Sequence, residues 1–219
     1  MTQIKNVLIW IGVIIFYLFM QLLVPGILDM LNIANIYVSN ITLLLSELLI
    51  TGALIYYYKN DFKKDCYDLN KNFKHKIGSV FKIWLIGLVI MIFSNNIINI
   101  ISKTEMASNE SVNRIVLENL TIYAIPVMVI FGPICEEIIF RLSFKKIFKN
   151  NYLFIILSGL VFGLSHVIGT SGLELLYLIP YGALGSAFAY MYVKNKNILC
   201  PIMAHMMHNL LCIVLIMFL

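Results

Sequence analysis

Seven stretches of the chain, at 7–24, 38–58, 79–101, 120–144, 152–168, 174–193 and 199–218, are almost wholly apolar. Each is close to the ~20 residues that an α-helix needs to cross the hydrocarbon layer of a bilayer. Water cannot be the solvent on all sides of such a chain. Overall, 61% of its residues are hydrophobic and 12% charged, against roughly 45–50% and 25% in soluble domains. The pattern predicts an all-α fold, a polytopic membrane bundle of about seven transmembrane helices, with the lipid bilayer as its constant partner. No repeat, low-complexity tract or soluble domain interrupts it. Residues 1–219 read as a single membrane domain, with 1–119 carrying the first three spans.

The connections alternate in charge. Lys5 precedes the first span, and the connection at 25–37 has no Lys or Arg. That at 59–78 carries Lys59, Lys63, Lys64, Lys71, Lys74 and Lys76. In the next, Lys103 and Arg114 are opposed by Glu105, Glu110 and Glu118. Lys145, Lys146 and Lys149 follow the fourth span, 169–172 has no charge, and Lys194 and Lys196 follow the sixth. Basic connections gather on the cytoplasmic side, which predicts a cytoplasmic N-terminus and an outer C-terminus. The net charge of +5 is explained by this asymmetry, and no nucleic-acid partner is expected. Met1–Asn6 leads into the first span without a small-residue cleavage site, the pattern of an uncleaved first helix. Cys66, Cys135, Cys200 and Cys212 have no paired spacing, and no disulfide is expected. Cys135 reads as an inert residue in an apolar wall. The connections at 59–78 and 102–119 each have room for a short interfacial helix.

Against this background the informative residues are the polar ones inside the spans, because an ionisable group there is costly and faces the protein interior. Span four holds Glu136, Glu137 and Arg141. Glu137 and Arg141 are four apart and share a helix face, so they can pair. Glu136 is turned about 100° away and has no partner on its own helix. Span five has Phe162 and His166 on one face; span seven has His205 and Asn209 on one face, with His208 partly overlapping. Glu47 on span two stands alone, either a buried acid bonded to a neighbouring helix or a member of the site. Asn95, Asn96 and Asn99 read as polar packing.

Depth brings three of these spans together. Glu136 and His166 are each 15 residues from residue 151, so a straight hairpin sets them level. Glu136 lies about 13 Å in from Lys145 at ~1.5 Å per residue, and His205 lies at a similar depth from Lys194 and Lys196. A carboxylate and an imidazole can hold one water between them, the carboxylate acting as general base. A further His and an Asn can donate to an oxyanion. The same Glu136, His166 and His205 are also a possible His₂Glu zinc set, although no HExxH is present. Amide hydrolysis, with or without Zn²⁺, is within reach of either arrangement.

Glu136-Glu137-xxx-Arg141, Phe162-xxx-His166 and His205-xxx-Asn209, in this order on three membrane spans, resemble the CPBP family, also called Abi. That family includes type II CAAX prenyl endopeptidases and bacteriocin-processing enzymes. The resemblance covers roughly 120–210, and 120–219 would be the catalytic core. It implies an intramembrane endopeptidase in which Glu136 and His166 activate water. His205 and Asn209 would stabilise the oxyanion, and Glu137, Arg141 and Phe162 would support the site. Metal independence is the favoured form, Zn²⁺ the alternative. The resemblance is to bacterial members, which implies a multi-pass protein of the cell membrane and a membrane-associated peptide or protein as substrate. His208 has no family role. Small residues in the sixth span (Gly182, Ala183, Gly185, Ser186, Ala187, Ala189) allow close helix approach or leave room for a substrate. The competing readings are a non-catalytic immunity or scaffold protein and a proton-coupled transporter.

Overall fold

The structure, a computed structural model, describes residues 2–32, 36–103 and 106–218. Among these, every regular element is helical. In chain order they are α1 (Thr2–Met30), α2 (Ile36–Tyr57), α3 (Lys59–Ser102), α4 (Ser108–Pro126), α5 (Gly132–Glu137), α6 (Asn151–His166), α7 (Leu178–Asn195) and α8 (Leu199–Phe218). π-helical turns at Val127–Phe131 and Ile138–Ser143 flank α5, and 3₁₀ turns at Phe144–Ile147 and Gly172–Tyr177 complete the path. Among the described residues five helices are long and apolar enough to cross a membrane, and Ile41–Tyr57 and Asn151–His166 are shorter apolar ones. The chain is therefore a polytopic helical bundle, as its apolar pattern predicts.

Two stretches expected as connections are helical. Residues 59–78 form the first part of the 44-residue α3, kinked at Asn72 (φ −116°, ψ 20°). No Gly or Pro interrupts 59–77, so nothing in the backbone stops the helix beyond the lipid. The fourth span begins at Ser108 rather than at 120; its first turns are polar and carry no apolar signal. Glu105 lies outside the described residues, as does the side chain of Glu118.

The lysine-rich ends lie together. Asn6 Nδ2 donates to Lys146 O at 2.6 Å, and Lys146 Nζ lies 3.1 Å from Asp61. Lys76 Nζ donates to Asn195 O (2.7 Å) and pairs with Asp68 at 2.8 Å. Asp68 also accepts from Asn197 Nδ2, and Asp65 accepts from the Ile198 N–H at 2.7 Å. The hydrogen bond from Lys76, with that from Asn197, holds the Asp68 carboxyl down to about 2. This end of α3 thus clamps the α7–α8 turn. At the opposite end Tyr177 Oη donates to Asn99 at 2.6 Å, so Asn99 packs as expected.

α6 and α7 form the closest pair. Asn150 caps α6 by accepting from the N–H groups of Tyr152 and Leu153. A Cβ on Gly159 would come 2.6 Å from Gly182 O and 2.8 Å from Ser186 N, and one on Gly163 would come 2.8 Å from Leu178 O. On α7, Gly185 leaves space that the Phe162 ring fills, its Cδ1 within 2.8 Å of where a Cβ would stand. Small residues of α7 therefore serve packing against α6. Because the obstacles at Gly159 include backbone atoms as well as the Ser186 hydroxyl, Gly159→Ala should lose about 1–3 kcal/mol through overpacking. Gly12 in α1 has nothing within 4 Å, so Gly12→Ala should melt at or above the wild-type temperature in the same detergent. Equal melting temperatures for the two variants would contradict this packing.

Candidate active site

Two prolines shape the span that carries the acidic pair. In the π-turn at Val127–Phe131 the Gly132 N–H bonds to Val127 O, five residues back. The next bond in that register would run from residue 133 to Met128 O, but residue 133 is Pro and has no N–H. The freed Met128 carbonyl accepts instead from Asn209 Nδ2 at 2.8 Å. A backbone irregularity in one helix thereby fixes an Asn on another. The second π-turn is satisfied by side chains: Ser143 Oγ donates to Ile138 O and Ile139 O, Trp10 Nε1 to Ile139 O, and Ser158 Oγ to Phe140 O.

Between these turns the two carboxylates separate. Glu137 and Arg141 are fully buried, with Arg141 Nη1 3.1 Å from Glu137 Oε1. Arg141 Nη2 donates to Gly185 O at 2.9 Å, and the guanidinium lies over the Phe162 ring, 4.6 Å from its centroid. The spacing in the sequence anticipates this pair. It does not anticipate that Glu137 Oε1 also accepts from His205 Nδ1 at 2.9 Å. Glu136 faces the other way, into a cavity of about 610 Å³ that its neighbours Glu137 and Arg141 do not line. Its Oε2 lies 3.8 Å from His205 Nε2.

The cavity gathers Glu47, Glu136, Phe162, His166, His205, His208 and Asn209 from four spans. His166 Nδ1 lies 2.8 Å from Phe162 O. A carbonyl only accepts, so Nδ1 carries the proton and Nε2 is the basic nitrogen. The ring is stacked on Tyr181, 4.6 Å between centroids, a contact for which the sequence offers no signal. By the same logic the Glu137 carboxylate fixes the proton of His205 on Nδ1. His208 lies 3.6 Å from Cys212 Sγ. Cys135 is buried against Thr51 Oγ1 at 3.2 Å, in keeping with an inert wall residue. The four cysteines are free. Asn95 also lines the cavity, a position that plain polar packing does not anticipate.

The zinc alternative requires Glu136, His166 and His205 to converge. Among the described residues no group of three His, Cys, Asp or Glu side chains is arranged to hold a metal ion. The trio does not fit one in this arrangement.

Residues 118–211 match the family described as type II CAAX prenyl endopeptidase Rce1-like. A Bacillus subtilis (strain 168) protein named "Putative membrane peptidase YdiL" is 38% identical over 101 residues, 43% of this chain and 39% of that protein. The chain thus matches about two fifths of the length of this curated relative. No solved structure matches. The matched segment contains Glu136, Glu137, Arg141, Phe162, His166, His205 and Asn209 together, the same residues by which the sequence resembles the CPBP family.

Proposed function

We propose that the chain is an intramembrane endopeptidase that hydrolyses a peptide bond in a membrane-associated peptide or protein. The observation that carries this reading is the division of labour between adjacent carboxylates. Glu137 is locked to Arg141 and His205, while Glu136 opens onto the cavity beside two imidazoles. In this mechanism Glu136 takes the proton of a water that the basic Nε2 of His166 also holds, and the water oxygen adds to the scissile carbonyl. His205, in its protonated form, presents Nε2–H to the developing oxyanion and is steadied by Glu137 behind it. Asn209 spends one amide hydrogen on Met128 O and offers the other to the same oxyanion. No step requires a metal.

The test is cleavage by purified protein in vesicles carrying a library of apolar peptides. The expected result is discrete fragments, released at a rate that strong chelation leaves unchanged. A rate abolished by chelation and restored by Zn²⁺ would replace this mechanism with a metal-dependent one. No cleavage, together with cellular function that survives Ala at 136, 166 and 205, would establish the scaffold reading instead.

A further inference from the structure

Glu47 is the one ionisable side chain of the cavity that this mechanism leaves idle among those contributed by α1 and α2, apart from the phenol of Tyr17. It comes from α2, outside the segment that matches the family. Its side chain is buried, the residue only 2% exposed. Gln21 Nε2 donates to Oε1, and the buried Oε2 has no hydrogen-bond partner among the described residues. The register of α2 is set one turn away, where Thr51 bonds to Cys135, the neighbour of Glu136. That bond brings Glu47 to the wall of the cavity that Glu136 lines. The single Lys or Arg among the lining residues, Arg114, is paired with Glu110 at 3.1 Å. Glu47 therefore has an amide for company and no free Lys or Arg among the residues that line its cavity.

We propose that Glu47 is a catalytic proton donor, delivering the proton that the departing amine requires. The proposal rests on the endopeptidase reading. A carboxyl buried with one oxygen unpaired and no Lys or Arg partner suits the neutral, donating role. Glu136 is 27% exposed and lies beside two imidazoles, which suits the opposite role. Two acids in unlike surroundings, one accepting and one donating, form a recurrent arrangement for hydrolysis. The step balances. Water's oxygen forms a bond to the carbonyl carbon while Glu136 takes one of its protons. The carbon–nitrogen bond then breaks, its electron pair staying on nitrogen, and nitrogen takes the proton of Glu47. Passage of one proton from Glu136 to Glu47 restores the site, leaving a carboxylic acid and an amine.

An amine leaves only when protonated, whereas an alkoxide needs this help far less. The probes are the peptide that wild-type protein cuts in the vesicle library and the same peptide with an ester at the scissile bond. The readout is the ratio of amide to ester rates, which loss of part of the protein to misfolding does not move. For Glu47→Gln this ratio should fall about 100-fold, in the usual range for loss of a general acid. Glu47→Asp, which keeps an acid on a shorter stem, should recover part of it. An unchanged ratio in both variants overturns the proposal and leaves the endopeptidase reading standing. Failure of wild-type protein to cut any peptide of the library overturns both.

Discussion

Glu136→Gln is expected to reduce peptide cleavage by at least about 10³-fold, within the range that a positioned general base supplies, while the protein melts within a degree or two of wild type. The two halves of this expectation have different origins. Gln keeps the shape and hydrogen-bonding reach of Glu but cannot take a proton from water. The fold does not depend on the charge: the contact of Glu136 with His205 is 3.8 Å, beyond hydrogen-bond range, and its side chain faces the cavity. Cleavage rate and melting temperature measured on one preparation decide the matter. Full activity in the variant would remove Glu136 from the mechanism, and a large loss of stability would make it a structural residue.

One part of this site is legible in the sequence and another is concealed, for physical reasons. A helix repeats every 3.6 residues, so pairs four apart on one helix can be read directly, and Glu137 with Arg141 is such a pair. The depth of a residue follows from its distance to the lysines that mark the helix ends, which is why Glu136 and His205 are expected to meet. Rotation between helices is harder to read. Membrane spans are apolar on all sides, so no polar face announces which side looks inward. The bond from His205 to Glu137 rather than to Glu136 alone is of this kind, as is the entry of Glu47 into the cavity. The placement of Asn209 is hidden more deeply, because its partner is a carbonyl freed by Pro133 within a π-turn. Signals for that feature are present in Pro126 and Pro133, but they mark a disturbed helix and not the residue that repairs it. The helical course of 59–78 escapes a hydropathy reading because hydropathy reports lipid contact, and a helix continuing into water carries no such mark.

Arg141→Met should be the most destabilising of the single substitutions at the site, by about 3–5 kcal/mol, because it leaves the fully buried Glu137 without its cation. The guanidinium is surrounded by Glu137, the Gly185 carbonyl and the rings of Phe162, Phe188 and Phe140. No water can take over its role without opening the α6–α7 contact that Gly159 and Gly163 make close. Arg141→Lys should recover little, since one ammonium cannot reach the carboxylate and the carbonyl with the geometry of a planar fork. The decisive comparison is with Glu137→Gln in the Arg141→Met background. If the loss comes from a stranded charge, removing that charge should return part of the stability, and the double variant should melt above Arg141→Met alone. If Arg141 acts only by filling space among three rings, the second substitution should add to the damage. Activity should not return in either case. The amide that Glu137→Gln introduces can still accept from His205 Nδ1, but it lacks the negative charge that, on the proposed mechanism, steadies His205 as the oxyanion develops. Stability and catalysis would then separate in the same pair of proteins, with the brace restored and the site it orients still silent.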